Sequence, residues 1–332
     1  MLSIEVTREC PLHCPGCYAF GENHLGGGTT LRQLNDKRGD ELVQGVLSLV
    51  DRHKPLQVSL VGGEPMVRRR ELSRILPELA RRRIHSMVVT SGIIPIPLEW
   101  MALRWFTAAV SVDGLPEHHN VRRHPATYER ILSNIEGRRV NIHWTITAQM
   151  ARRPGYLEEY VRFWHSRPEV RYIWVSLYSP QRGEESAERL SAEERELVAR
   201  ELPPLWRRYP KLLAGPGYAR ALLHPPASPE KCTFARLSKS YSADLRTRVE
   251  PCVLGGNPDC AQCGCSASAV SNWVNEKRIA GPVKGKHLLG GSMQIGGAMA
   301  RLKRMMLPAW LERGQHNDAA EPQEDLVRIS ME

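Results

Sequence analysis

From residue 1 to about residue 209, short β-rich runs alternate with amphipathic, helix-like ones. The strand candidates are Leu2–Thr7, Leu56–Val61, Ser86–Thr90, Ala108–Val112, Val140–Thr147 and Arg171–Leu177. Between or after them fall Asp40–His53, Arg70–Arg83, Leu98–Trp105, Thr127–Gly137, Gly155–Ser166 and Ala192–Tyr209. Continuous apolar strands joined by helices read as a parallel sheet covered on its faces. Six such units are too few to close an eightfold barrel. The spacing therefore predicts an α/β fold, a partial (β/α)6 TIM-like barrel, with its chemistry on the loops beyond the C-terminal strand ends. With 332 residues, 42% of them hydrophobic, the chain has enough apolar material for a large core, which excludes a disordered class. No run of about 18 apolar residues is present to span a bilayer. The start, Met1-Leu2-Ser3-Ile4-Glu5-Val6, lacks the features of a secretory signal.

A chain kept in a reducing, cytoplasmic compartment has little use for disulfides, so its eight cysteines need another explanation. They fall into two groups: Cys10, Cys14 and Cys17, then Cys232, Cys252, Cys260, Cys263 and Cys265. None lies in the long stretch between, where most of the core is predicted. A cysteine used as a small buried hydrophobe would appear there too. The distribution points to metal or redox chemistry.

Cys10-Pro11-Leu12-His13-Cys14-Pro15-Gly16-Cys17 has the form C-x3-C-x2-C directly after the first predicted strand. Three thiolates satisfy three irons of a cubane and leave the fourth open. Zinc normally takes four protein ligands, or three plus water when catalytic; His13 could be the fourth, but beside Cys14 it makes an awkward pair of adjacent positions. With the aromatic Tyr18 following, the motif resembles the signature of the radical SAM superfamily. Gly62-Gly63-Glu64-Pro65, at the end of the second strand, resembles that family's GGEP motif. The resemblance implies that Gly62, Gly63 and Glu64 bind the methionine amino group of S-adenosyl-L-methionine. Ser111-Val112-Asp113-Gly114 resembles its S-x-D-G segment, which implies Ser111 as a ribose contact and Asp113 as a neighbour of the reacting centre. Thr90-Ser91-Gly92 resembles a TNG-like turn. Thr90, Thr145 and Thr147, all at strand ends, are further candidates for cofactor contacts, and Tyr18 is expected near the adenine. The resemblance spans about residues 1–180. It implies a [4Fe-4S] cluster at the first three cysteines, reductive cleavage of S-adenosyl-L-methionine, and abstraction of a substrate hydrogen atom by the resulting 5′-deoxyadenosyl radical.

The late cysteines read Cys232-x19-Cys252-x7-Cys260-x2-Cys263, with Cys265 beyond. The run Arg248-Val249-Glu250-Pro251-Cys252, at the end of an expected hairpin from Ser238 to Glu250, resembles the SPASM and twitch modules of radical SAM enzymes. That resemblance implies a second [4Fe-4S] cluster, held by Cys232, Cys252, Cys260 and Cys263 with Cys265 as substitute or spare. The same spacing is also a zinc-ribbon pattern. A non-catalytic iron–sulfur or zinc scaffold is the rival to an enzyme.

The organisation expected is a core at 1–209, a proline-marked linker at 210–230, an auxiliary module with a basic segment at 231–313 and a polar tail at 314–332. The net charge of +10 suits an anionic partner, but only 6% of residues are aromatic and no nucleic-acid module is recognisable. The arginine runs at 68–70 and 81–83 read as solvated faces. Residues 277–304 hold seven Lys or Arg and no acid, and Met299–Leu307 reads as a basic amphipathic helix able to touch a membrane surface. The expected partners are a peptide or small-molecule substrate and an electron donor such as flavodoxin or ferredoxin. Because the first strand begins at residue 2, a leader-binding domain is expected to be absent or to be a separate protein.

Overall fold

The computed structural model describes residues 1–125, 128–276, 278–280 and 283–284. The six expected strands form as β1 (Leu2–Glu5), β2 (Gln57–Val61), β3 (His85–Thr90), β4 (Phe106–Ser111), β5 (Val140–Ile146) and β6 (Val170–Leu177). Between or after them lie helices α1 (Gly39–His53), α2 (Arg69–Arg81), α3 (Pro116–Arg122), α4 (Tyr128–Ile135), α5 (Ala148–Arg152), α6 (Tyr156–Ser166) and α7 (Ala192–Arg208). The expected helix at Leu98–Trp105 is a single 3-10 turn, Leu98–Ala102. All neighbours pair in parallel, in the order β6-β5-β4-β3-β2-β1-β7, and the sheet remains open between β6 and β7.

The seventh strand, β7 (Lys239–Tyr241), has no counterpart among the sequence expectations. It pairs in parallel with β1, Leu2 opposite Lys239 and Ile4 opposite Tyr241. The Ser238–Glu250 stretch does turn back on itself, through a bridge between Tyr241 and Arg248. Its outgoing arm also extends the main sheet, so the late-cysteine segment is fastened to the N-terminal strand.

Residues 210–230 are more than a linker. Helix α8 (Pro216–Leu223) begins with Pro216 at its first turn, where the missing N–H costs nothing. Its Tyr218, Ala219 and Leu222 are buried in the same core as the barrel helices. Helices α9 (Thr233–Leu237) and α10 (Ser266–Glu276) flank the late cysteines. The chain divides into compact units at Met1–Trp273 and Val274–Glu332. The described part of the second is the end of α10 and an antiparallel pair, Arg278–Ala280 with Val283–Lys284. The rest of the basic segment, the Met299–Leu307 run and the 314–332 tail lie outside the described residues.

Side chains of α6 fix the loop that follows β4. Tyr160 stacks on Trp144 with ring centroids 3.9 Å apart, and its hydroxyl donates to the Val112 carbonyl at 2.6 Å. The Tyr156 hydroxyl accepts from the Leu115 N–H at 2.7 Å. Both rings are fully buried, so each tyrosine combines apolar burial with one backbone hydrogen bond. Those bonds bracket Asp113.

Candidate active site

A cavity of about 350 Å³ opens at the C-terminal strand ends, within the size range of small-molecule sites. Cys10, Cys14 and Cys17 line it, as do Tyr18, Gly62, Gly63, Glu64, Thr90, Ser111, Asp113 and Thr145. Thr147 does not. It is buried as the N-cap of α5, where its carbonyl accepts from the N–H groups of Met150 and Ala151. Two residues from Thr145, it would share that residue's face in a continued strand, but β5 ends at Ile146 and the chain turns into α5 at Thr147.

The glycine pair is dictated by contact. A Cβ on Gly62 would lie 2.6 Å from the Thr7 carbonyl oxygen, and one on Gly63 only 2.3 Å from that of Glu9. The Gly63 N–H donates to Thr7 O at 2.9 Å and the Glu64 N–H to Glu9 O at 2.8 Å. The motif is thus sewn to the segment entering Cys10, which only residues without side chains permit. Glu64 acts as an anchor. Its buried carboxylate accepts from Met66 N, Thr90 Oγ1, Ser91 N and Ser91 Oγ at 2.6–3.0 Å. Thr90, a candidate for cofactor contact, gives its hydroxyl to Glu64.

Behind the cysteine loop, Arg68 is buried, contrary to the solvated face expected of the 68–70 run. Its guanidinium meets Asp36 Oδ2 at 2.9 Å and Glu9 Oε1 at 3.1 Å. Asp36 also accepts from Thr7 Oγ1 at 2.6 Å. Burial alone would raise the Asp36 pKa, but the hydrogen bonds from Thr7 and Arg68 hold it below the usual carboxylate range.

Asp113 sits in a cage. Oδ1 accepts from the Thr145 N–H at 3.0 Å, and Oδ2 accepts from Arg123 Nε at 2.8 Å and faces Arg122 Nε at 3.6 Å. Against its burial, the two guanidiniums hold it well below the usual carboxylate range. A carboxylate so clamped is suited to fixing arginines and unsuited to exchanging protons near neutrality. Arg122 and Arg123, which the sequence reading passed over, place positive charge beside Cys14. Their signal was available: two arginines nine and ten residues after an aspartate that ends a strand. His143 was also missed. It lies on β5 facing the cavity, with Nε2 2.9 Å from Ser176 Oγ.

The three N-terminal thiols fit an iron–sulfur group. Burial pushes Cys10 up to about 11 and also raises Cys14, so those two thiols ionise readily only beside added positive charge. Cys232, Cys252, Cys260, Cys263 and Cys265 all line a second, small and apolar pocket. Burial pushes Cys252 up to about 11 and raises Cys260 and Cys263 as well, each reinforced by the neighbouring thiols. Among the described residues no three His, Cys, Asp or Glu side chains stand close enough to share one metal ion. A cubane asks for less, since each thiolate serves its own iron. By donor type, the first three thiols suit a cubane with one open iron, and the late group suits either a cubane or a zinc ribbon.

Residues 4–150 match the family profile of the Radical SAM superfamily. No curated protein matches the chain. Among solved structures, Streptococcus suis SuiB bound to S-adenosylmethionine aligns with a TM-score of 0.53 at 14% identity, covering 73% of this chain and 56% of that one. Histidine-tagged anSMEcpe with bound AdoMet aligns with a TM-score of 0.51 at 18% identity, covering 67% and 62%. S. suis SuiB bound to precursor peptide SuiA aligns at 0.48 and 18%, covering 62% and 46%. The chain thus spans between 46% and 62% of the length of these structures. Among the described residues no helix is long and apolar enough to cross a membrane. Over residues 4–150, then, the chain is similar to the radical SAM superfamily, and its fold is that of the aligned structures.

Proposed function

We propose that the protein is an enzyme that reductively cleaves S-adenosyl-L-methionine and uses the radical to remove a hydrogen atom from a substrate. One observation carries the reading: Cys10, Cys14 and Cys17 share a single cavity with Gly62, Gly63 and Ser111. A [4Fe-4S] cluster held by those cysteines, with S-adenosyl-L-methionine, supplies a 5′-deoxyadenosyl radical when reduced.

The chain's own residues bind, orient and exclude. Gly62 and Gly63 present backbone to the methionine ammonium, with Glu64 fixing their loop through its four hydrogen bonds. Ser111 contacts the ribose and Tyr18 lies near the adenine, a reading supported by their place in the cavity lining. Thr145 contributes through that lining and by donating its N–H to Asp113. Asp113 is a positioning residue for Arg122 and Arg123 rather than a group that touches the reacting atoms. The late cysteines hold a second [4Fe-4S] cluster on a twitch-like module. The electron donor is a flavodoxin or ferredoxin, the setting cytoplasmic, and the substrate a peptide or protein side chain. The hydrogen-bonding side chains along the cavity wall support a substrate with polar backbone groups.

The test is direct. Anaerobically reconstituted protein with dithionite should convert S-adenosyl-L-methionine to 5′-deoxyadenosine and methionine, and Cys14→Ala should abolish this. Unchanged conversion by Cys14→Ala, or none by the wild type, overturns the reading. Iron should number about eight per chain for two cubanes, against about four with one zinc for a ribbon.

A further inference from the structure

Of the eight cysteines, Cys265 is the one that lines both cavities: the small pocket of the late cysteines and the large one of Cys10, Cys14 and Cys17. Its place is built by the main sheet. The Leu177 N–H donates to Gly264 O at 2.9 Å, the Gly264 N–H donates to Ser179 Oγ at 2.8 Å, and the Ser266 N–H donates to Ser176 Oγ at 3.2 Å. Gly264 is required there, because a Cβ would stand 2.3 Å from Leu177 O. The Gly264–Ser266 strip therefore continues the barrel wall beyond β6, which fixes Cys265 from the barrel side. Its sulfur meets the backbone N–H groups of Ala267 and Ser268, at the start of α10.

The other four late cysteines all reach one another, whereas Cys265 reaches two of them, Cys263 and Cys252. Cys252 feels Cys263, Cys232 and Cys260; Cys260 feels Cys263 and Cys232; Cys263 feels Cys232. Every pair of the four is in electrostatic reach. Four thiolates complete a cubane, which leaves one thiol over.

We propose that Cys265 is a free thiol of the reaction cavity, not a cluster ligand, and that it forms part of a substrate-contacting wall with Ser176 and His143. The proposal rests on reading the other four late cysteines as the ligands of an auxiliary iron–sulfur group. The wall runs from Cys265 through the Ser266 N–H to Ser176 Oγ and on to His143 Nε2. It offers a soft sulfur beside a fixed hydroxyl and imidazole. That combination suits a substrate carrying hydrogen-bonding groups, such as a peptide, and not a purely apolar chain.

Protein loaded anaerobically with iron and sulfide is treated with iodoacetamide and mapped by peptide mass spectrometry. Burial holds the Cys265 thiol above its ordinary range, so labelling is run at about pH 9 over hours; Cys265 should then be the late cysteine that is carboxamidomethylated, with the other four protected. Saturating S-adenosyl-L-methionine without reductant should slow that labelling about 5-fold or more, because the two share one cavity. Cys265→Ala should keep the wild-type iron count and cluster EPR spectrum. Protection of Cys265 with labelling of one of the four, labelling indifferent to S-adenosyl-L-methionine, or loss of half the iron in Cys265→Ala overturns the proposal. If the wild type holds only about four irons and all five late cysteines label alike, the auxiliary-cluster reading has failed, a separate and recognisable result.

Discussion

The carboxylate of Glu64 accepts from Thr90 Oγ1 at 2.6 Å and from Ser91 Oγ at 2.6 Å, tying the end of β2 to the end of β3 beneath the cofactor cavity. Four donors converge on this one side chain, so it tolerates no donor of its own. Glu64→Gln must turn an NH₂ toward at least one of them. We expect a loss of about 1–3 kcal/mol in denaturant unfolding, together with weaker S-adenosyl-L-methionine binding in equilibrium dialysis. An unfolding midpoint equal to wild type would refute the anchoring role.

Asp113 is placed to neutralise buried arginine charge. In Asp113→Asn, Arg123 loses its carboxylate partner while remaining mostly enclosed. Breaking such a pair from one side costs on the order of 3–5 kcal/mol, so thermal denaturation should show a clear fall in midpoint. Because the carboxylate is held well below its ordinary pKa, its contribution is fully present above about pH 4 and is lost only as pH falls further. A pH–rate profile should accordingly carry no limb due to Asp113 between pH 5 and 9.

His119 adds a pH dependence in a different window. Its Nδ1 accepts the Asp113 N–H at 3.2 Å, which leaves Nε2 buried without a partner. Burial, and then Arg123, lower its pKa from 6.5 to about 4, so the folded state keeps it neutral while the unfolded chain takes up a proton. Stability from this site is complete above about pH 6.5 and falls as pH drops toward 4, by up to about 3 kcal/mol. Urea midpoints measured between pH 4 and 7 should show the slope, and His119→Asn should flatten it.

Much of this site was legible in the sequence because local chemistry encodes it. The strands follow from apolar runs of the right length, and each falls within a few residues of its expected bounds. The Gly62-Gly63 pair announces close backbone contact, which Thr7 and Glu9 provide. What was missed depends on partners far along the chain. β7 is three residues long, too short for any periodicity to show, and exists because β1 offers it an edge. α8 begins with Pro216-Gly217, two residues that read as breakers, yet proline suits a first turn and Gly217 leaves room for Trp273. Arg68 looked solvated inside an arginine run, since nothing nearby in sequence discloses that Asp36 folds back onto it.

Gly63 offers a test that separates the first cysteine group from the fold. In Gly63→Ala the new methyl would meet the Glu9 backbone at 2.3 Å, where no flexible side chain can yield. The segment entering Cys10 must move, at a cost of about 1–3 kcal/mol. Reconstituted Gly63→Ala should keep a native circular dichroism spectrum but lose about half its iron, with 5′-deoxyadenosine formation reduced at least about 100-fold. A full iron count would show that the seam is dispensable.

The two cysteine groups are joined through His24. Its Nε2 lies 2.7 Å from Glu5 Oε1 on β1, and its Nδ1 lies 3.1 Å from the Leu254 carbonyl, two residues past Cys252. Glu5 is completed by Ser242 Oγ at 2.6 Å, and the Gly256 N–H donates to His24 O at 3.1 Å. His24→Leu removes the ring from a buried carboxylate and releases the Cys252 loop at the same time. The cost should be on the order of 1–3 kcal/mol in unfolding experiments, since a buried carboxyl group loses one of its two side-chain hydrogen-bond partners. Iodoacetamide should then reach Cys252 in the metal-free protein several-fold faster than in wild type, whereas His53→Leu, a change on α1, should leave that rate unaltered. Equal labelling rates in His24→Leu and wild type would mean that Leu254 and Gly256 hold the loop without the imidazole.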